Sequence, residues 1–209
     1  MAEIGAARPG PDALPARLAA APGRVMALEG PPGYGVTRLG LNMLSGHPGT
    51  VAVVDVRGWL SPLAAAEAGI RLEGLVVVRC PDKSRWAQVT AALLEGLGAV
   101  YAEVPVGIND QLLRRLGALA RARRSSLLLR PLRGGLPAGL AHLRLRGEAV
   151  EWEGAGTGHG RLERRRLLLR AGGKGVGGVE RRIEVEDDGT DAVRVVPGLA
   201  AAPPRRAAG

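Results

Sequence analysis

The stretch RVMALEGPPGYGVTRLGLNML, residues 24–44, is the most informative part of this sequence about its fold. It begins with a short apolar run, passes through a segment rich in glycine and proline, and ends in an amphipathic run. A strand, a glycine loop and a helix in this order form the context in which phosphate-binding loops occur. The pattern of such a loop is G-x-x-x-x-G-K-[ST], and Gly30, Gly35 and Thr37 have its spacing. Val36 stands at the lysine position.

Apolar runs and helical patterns alternate after this stretch. Further strands are predicted at 50–56, 72–80, 99–104 and 125–130, and helices at 61–68, 84–97 and 110–123. Such alternation is typical of a largely parallel sheet covered by helices on both faces. We expect eight strand residues to be buried in that sheet: Val51, Val53, Val76, Val78, Val100, Ala102, Leu127 and Leu129.

The pattern changes after residue 131, where apolar and polar residues alternate between glycine turns, as in antiparallel strands. The predicted fold class is therefore α/β, with a largely parallel core at 24–131 and an antiparallel extension at 132–196. Together these ranges form one domain. Residues 1–23 are predicted to be a flexible arm and residues 197–209 a disordered tail.

The net charge of +9 is unevenly distributed. Residues 1–105 carry nine basic and nine acidic side chains, whereas residues 106–209 carry 20 and 11. The excess therefore lies in the second half, where it predicts either contacts with nucleic-acid phosphates, contacts with an acidic protein surface, or a solvated strand face. The densest candidate patch consists of Arg161, Arg164, Arg165, Arg166, Arg170 and Lys174. The chain has no Phe, and Trp152 is the only aromatic residue after Tyr101, which disfavours base stacking.

Other composition features narrow the classes of site and location. Cys80 is the only cysteine, which excludes an intrachain disulfide and a cysteine zinc cluster. The three histidines have no ligand spacing, so no metal site is predicted. Without a leader pattern or a long apolar run, the sequence predicts a cytoplasmic protein that does not enter a membrane.

Four stretches carry a resemblance to a known family: EGPPGYGVTRLGL, VAVVDVRGWLSPLAAAEAGI, LLEGLGAVYAEVP and RRRLLLRAGGKGVGG. In this order they resemble the RecA-like ATPase core over about residues 24–185, and more narrowly the ImuA family of bacterial mutagenesis cassettes. The resemblance implies a RecA-like fold whose nucleotide loop contains Gly30, Gly33, Gly35 and Thr37.

The sequence departs from the RecA pattern at the chemically important positions. Val36 replaces the lysine that reaches the β- and γ-phosphates, and Arg57 stands where the resemblance implies a catalytic glutamate. The aspartate expected beside Mg²⁺ has no clear counterpart, since Glu103 is predicted to lie one or two residues away. Arg130 and Pro131 replace the γ-phosphate sensor, and the segments between strands four and five are too short for RecA's DNA-binding loops. We therefore expect a vestigial loop, no catalytic residue and no cofactor, with weak ATP binding as the lesser alternative.

Asp55 and Arg57 lie at the carboxyl end of the second predicted strand, where α/β folds place their sites. We expect them to form a solvated ion pair; a functional polar pair is the alternative.

The resemblance to ImuA implies a non-catalytic accessory protein in damage-induced translesion synthesis, within the SOS response. Its implied partners are RecA and an ImuB-like inactive Y-family polymerase, and indirectly an error-prone replicative-type polymerase and the sliding clamp, with DNA also possible. Two alternatives stay open: an active DNA-dependent ATPase of the RecA/RadA type, and a cell-division inhibitor of the SulA kind.

Overall fold

The computed structural model describes residues 18–154, 163–187 and 193–196, with side chains for the first two ranges. Within these residues, nine strands form one sheet and four helices pack on it. The helices are α1 (Val36–Ser45), α2 (Pro62–Glu67), α3 (Lys83–Gly96) and α4 (Asp110–Arg123). The strands are β1 (Val25–Glu29), β2 (Val51–Asp55), β3 (Leu75–Arg79), β4 (Ala99–Val104), β5 (Ser126–Pro131), β6 (Leu143–Glu153), β7 (Arg164–Gly172), β8 (Arg181–Asp187) and β9 (Val193–Val196).

The sheet has the order β3-β2-β4-β5-β1-β6-β7-β8-β9. All pairings from β3 to β6 are parallel, and all pairings from β6 to β9 are antiparallel. The α/β fold class with a parallel core and antiparallel C-terminal strands is confirmed. The boundary of the parallel core at residue 131 is wrong, because β6 pairs in parallel with β1, where Met26 faces Leu143.

Helices cover the parallel part of the sheet on both faces. The residues of β1 alternate between the faces, so Met26 and Leu28 join the core under α1 and α2, while Val25 and Ala27 join the core under α3 and α4. Because both sides are screened, all five residues of β1 are buried. The loop that follows β1 is therefore fixed at the centre of the carboxyl edge of the sheet.

The core prediction is confirmed for six residues and wrong for two. Val51, Val53, Val100, Ala102, Leu127 and Leu129 are buried. Val76 is 40% exposed and Val78 is half-buried, because β3 is the edge strand of the sheet. The chain before β3, predicted to be strand, forms a 3-10 turn at Leu72–Gly74 instead.

The N-terminal boundary also differs from the prediction. Leu18 is buried in the core under α1, and the Ala20 N–H donates to the Met43 carbonyl at 3.0 Å. Residues 18–23 are thus packed on the domain and do not belong to a flexible arm. Residues 1–17 and the predicted tail at 197–209 lie outside the described residues. In the described part of the chain, no helix has the length and apolar character needed to cross a membrane.

Candidate functional site

A cavity of about 450 Å³ lies at the carboxyl edge of the sheet, between the loop after β1, the ends of β2, β4 and β5, and the start of α2. We call it the loop cavity. Trp152 on β6 and Arg165 on β7 close one side. The polar and aromatic residues that line it are Thr37, Arg38, Asp55, Arg57, Trp59, Ser61, Tyr101, Glu103, Arg130, Trp152 and Arg165.

The glycine loop has the conformation that its sequence requires. Gly33 and Gly35 have φ angles of 86° and 71°, in the left-handed region that favours glycine. A Cβ on Gly30 would lie 2.9 Å from Cγ2 of Val36, so Gly30 is required by packing. Gly35 begins α1 without a side-chain cap, which leaves the N–H groups of the first turn without that partner. The sequence-predicted loop residues therefore lie together, and three of them have a structural reason to be glycine.

Val36 points into the core and is 1% exposed, so the lysine position offers no cation to the loop cavity. A cation reaches the loop from β7 instead: the Arg165 guanidinium packs so closely on Gly35 that an added Cβ would overlap it. Arg165 is paired with Asp187 and lies 5.3 Å from the centre of the Trp152 ring. Asp187 also pairs with Arg38 on α1, at 2.9 Å. The antiparallel extension is thereby attached to the glycine loop.

Asp55 holds the chain that follows β2. Its Oδ1 accepts hydrogen bonds from the N–H groups of Gly58 and Trp59 at 2.9 and 3.2 Å, and its Oδ2 accepts from Leu60 N–H at 3.0 Å. The side chain is buried and forms the turn between β2 and α2. The expected ion pair between Asp55 and Arg57 is wrong, because Arg57 turns to another carboxylate.

That carboxylate is Glu103, which does lie in the loop cavity although its register was predicted to miss it. Its Oε2 accepts from the N–H groups of Val56 and Arg57 at 3.1 and 3.2 Å. Its Oε1 accepts from Arg57 Nε at 2.9 Å and forms ion pairs with Arg57 and with Arg130, the latter at 3.4 Å. The Glu103 side chain is 5% exposed. Both of its oxygens thus serve to hold Arg57 and the end of β2.

Arg130, at the end of β5, is a buried cation with incomplete pairing. Its side chain is 7% exposed, its ion pair with Glu103 is long, and its buried Nε has no hydrogen-bond partner in the described part of the chain. A buried guanidinium with incomplete pairing is costly.

Tyr101 forms the floor of the cavity beside Thr37. Burial raises the pKa of Tyr101 to about 12, and the charge of Arg130 and the nearby Thr37 hydroxyl only partly oppose this. The phenol is therefore protonated at neutral pH. Thr37, at the position whose hydroxyl contacts Mg²⁺ in a phosphate-binding loop, adjoins this protonated phenol.

A magnesium–nucleotide, which the RecA-like fold implies, does not fit the residues present. Mg²⁺ takes oxygen ligands, usually carboxylates and phosphates. The oxygens of Asp55 and Glu103 already accept hydrogen bonds from the chain, and Val36 supplies no charge for the phosphates. No group of three or more His, Cys, Asp or Glu side chains could hold a metal ion in the described ranges.

The basic patch predicted on the late hairpin is largely neutralised. Its described arginines lie on β7, between two strands that carry carboxylates, and each pairs with at least one of them. Lys174 lies in the turn after β7 and has no such partner among the described residues, and Arg161 lies outside them. The pairs are Arg164 with Glu153 and Glu186, Arg165 with Asp187, Arg166 with Glu153, Glu184 and Glu186, and Arg170 with Glu148 and Glu180.

Trp59 and Trp152 lie at the mouth of the loop cavity, and neither was predicted to be a site residue. Trp59 is 72% exposed and carries the Arg57 guanidinium 4.5 Å from its ring centre, and Trp152 is 46% exposed. The residues are about 90 positions apart in the chain, so only the folded structure brings them to one cavity. Large exposed aromatic side chains are typical anchors of protein interfaces.

Comparisons with known proteins agree with this fold. The chain is similar to a protein whose crystal structure is titled as that of the RadB recombinase, with a TM-score of 0.58 and 15% identity over 85% of this chain and 92% of that chain. In all, 192 chains of solved structures match. At 15% identity, such a similarity shows that the fold is RecA-like but does not indicate what the protein does. No curated protein matches the sequence. The profile of the MT3502 N-terminal domain matches residues 12–133, which is more than half of the chain. The chain therefore belongs to the MT3502 N-terminal domain family.

Proposed function

We propose that this protein is a non-catalytic RecA-like accessory protein of damage-induced translesion synthesis, which acts through protein contacts. One observation carries the non-catalytic part: the carboxylates of the loop cavity are engaged by the chain itself. Glu103 holds Arg57 and Arg130, and Asp55 holds the backbone after β2. A site that has to bind Mg²⁺ and position water needs such oxygens to be available.

The role in translesion synthesis rests on the resemblance of four sequence stretches to ImuA, together with the RecA-like fold. It names RecA and an ImuB-like inactive polymerase as the partners. Through them the protein would act with an error-prone replicative-type polymerase and the sliding clamp.

The surface that best supports protein docking is the mouth of the loop cavity. Trp59 and Trp152 combine large exposed area with neighbouring guanidiniums, from Arg57 and Arg165. Aromatic residues and arginine are the most enriched types among the residues that dominate binding energy. We assign partner docking to this rim, in place of the ion-paired patch on β7.

The test is binding of the purified protein to RecA and to an ImuB-like partner. Trp59→Ala and Trp152→Ala should each weaken binding of one partner by about 2 kcal/mol, roughly 30-fold, as for anchors of an interface. Val179→Ala is the matched control, since Val179 is 63% exposed and lies outside the cavity lining. Unchanged affinity for both partners in both tryptophan variants would refute this surface, and absence of any binding would refute the proposed partners.

A further inference from the structure

We propose that a basic trough along β6, which shares Lys174 with the patch predicted on the late hairpin, binds the phosphate backbone of duplex DNA. The trough lies on the α4 side of the sheet and is formed by two adjoining cavities of about 600 and 460 Å³, which share Arg146. Its cations are Arg24, Arg121, Arg133, Arg144, Arg146 and Lys174.

The backbone brings residues from distant parts of the chain to one end of the trough. Gly23 lies against the end of α4, where a Cβ on it would be 3.8 Å from Cα of Arg121. The His142 N–H donates to the Val25 carbonyl at 2.7 Å, and the His142 carbonyl accepts from Gly175 N–H at 2.8 Å. Arg24, His142 and the turn of Lys174 therefore adjoin at the amino edge of the sheet.

The electrostatic surroundings of His142 agree with this placement. Burial lowers the pKa of His142, and the positive charges of Arg24 and Lys174 lower it further. At this end the trough brings Arg24 and Lys174 together around His142, and Glu180 is the carboxylate in the lining of the same cavity.

The trough as a whole has more cations than carboxylates in its lining. Its lining contains six cations and two carboxylates, Glu29 and Glu180, which leaves four positive charges. Glu29 is buried and pairs with Arg144 and Arg146. Glu180 is 69% exposed and pairs with Arg170, outside the trough. The other four cations, Arg24, Arg121, Arg133 and Lys174, have no carboxylate partner among the described residues.

The remaining lining favours phosphate groups over an acidic protein. Five glycines line the larger cavity, and none of the eight large hydrophobic residues exposed in the described chain lies in either cavity lining. A protein interface needs apolar or aromatic anchors. Contacts with phosphates need only cations and backbone N–H groups, which glycine-rich backbone leaves accessible.

The absence of aromatic residues from this lining also favours duplex over single strands. Proteins that hold single strands without sequence preference stack bases on aromatic rings. A duplex offers phosphates without exposed base faces, so cations alone suffice for sequence-independent binding.

The experiment measures binding of the full chain to a short DNA duplex by fluorescence anisotropy over a range of salt concentrations. If the four unpaired cations contact phosphates, affinity should fall by about 10²-fold between 50 and 200 mM salt. The triple variant Arg24→Ala, Arg121→Ala, Lys174→Ala should bind about 10²- to 10³-fold more weakly near 0.1 M salt, with a shallower salt slope.

The matched control is Arg79→Ala, Lys83→Ala, Arg115→Ala, which removes the same charge from exposed residues outside the trough. It should bind duplex within about threefold of wild type, because these residues do not line the trough and salt weakens the effect of charges that do not touch phosphates. Arg121 lies in the last turn of α4, where a cation also stabilises the helix end. Circular dichroism and urea unfolding must therefore show both variants folded.

Three outcomes would overturn the proposal. The first is equal loss of affinity in the trough and control variants, or none in either. The second is tighter binding of a single strand than of duplex, and the third is equally tight binding of polyglutamate, which would assign the trough to an acidic protein. If the trough triple variant does not fold, the variant Glu180→Gln replaces it. It should bind duplex several-fold more tightly than wild type, and unchanged affinity would count against the trough.

Discussion

The substitution Glu103→Gln should lower the free energy of unfolding by about 3–5 kcal/mol, because it leaves two guanidiniums without their anion. The Glu103 side chain is 5% exposed, and those of Arg130 and Arg57 are 7% and 22% exposed, so water compensates little of the lost charge. The glutamine oxygen still accepts from backbone N–H, which places the expected loss near the lower figure. For a domain of this size each kcal/mol corresponds to about 2–4 °C in Tm.

The assay is urea unfolding followed by circular dichroism, with Glu67→Gln as the control. Glu67 pairs with Arg38 at 3.4 Å but is 53% exposed, so its loss should cost less than about 1 kcal/mol. Adding Arg130→Met to Glu103→Gln should recover part of the stability, since an apolar side chain then fills the place of the unpaired charge. A Glu103→Gln variant that is as stable as wild type would refute the structural role of this carboxylate.

Two further predictions concern the glycine loop and its floor. Gly33→Ala should lower the free energy of unfolding by about 1 kcal/mol, because the backbone is left-handed there while no atom lies near the Cβ position. Gly35→Ala should lower it clearly more in urea unfolding, because the new Cβ also displaces Arg165. Equal losses in the two variants would contradict the contact between Arg165 and Gly35. Tyr101 should contribute stability that is fully present below pH 10 and is lost as the pH rises through about 12, since its folded pKa is raised from 10.0. Absorbance titration should show a tyrosinate step near pH 12 that Tyr101→Phe removes, and a step near pH 10 for this residue would contradict its burial.

The parallel core could be predicted from the sequence because its strands are continuous apolar runs buried on both faces. The run at β3 looks the same, yet Val76 is exposed, since a sequence does not state which strand ends at the edge of the sheet. The alternation of apolar and polar residues in β6 correctly indicates a strand with one face open to solvent. It could not reveal that β6 pairs in parallel with β1, because pairing is decided by tertiary contacts.

The candidate site could be predicted only where it is local in the chain. Gly30, Gly33, Gly35 and Thr37 follow a spacing that the sequence displays. The contact of Arg165 with Gly35 joins residues 130 positions apart, and its only signal was the charge of the β7 run. The sequence overstates the free positive charge of this run, because carboxylates on the neighbouring strands pair with its arginines. That pairing becomes visible only once the register of β6, β7 and β8 is known.

ATP hydrolysis by the purified protein is the most direct test of whether the glycine loop is catalytically inactive. The account predicts no turnover above background, alone, with DNA or with RecA, because Val36 gives no cation and Glu103 and Asp55 are engaged by the chain. Loss of a single such electrostatic contact costs about 3–4 kcal/mol of transition-state stabilisation in enzymes that use one. Turnover that DNA stimulates and that Thr37→Ala abolishes would contradict the account.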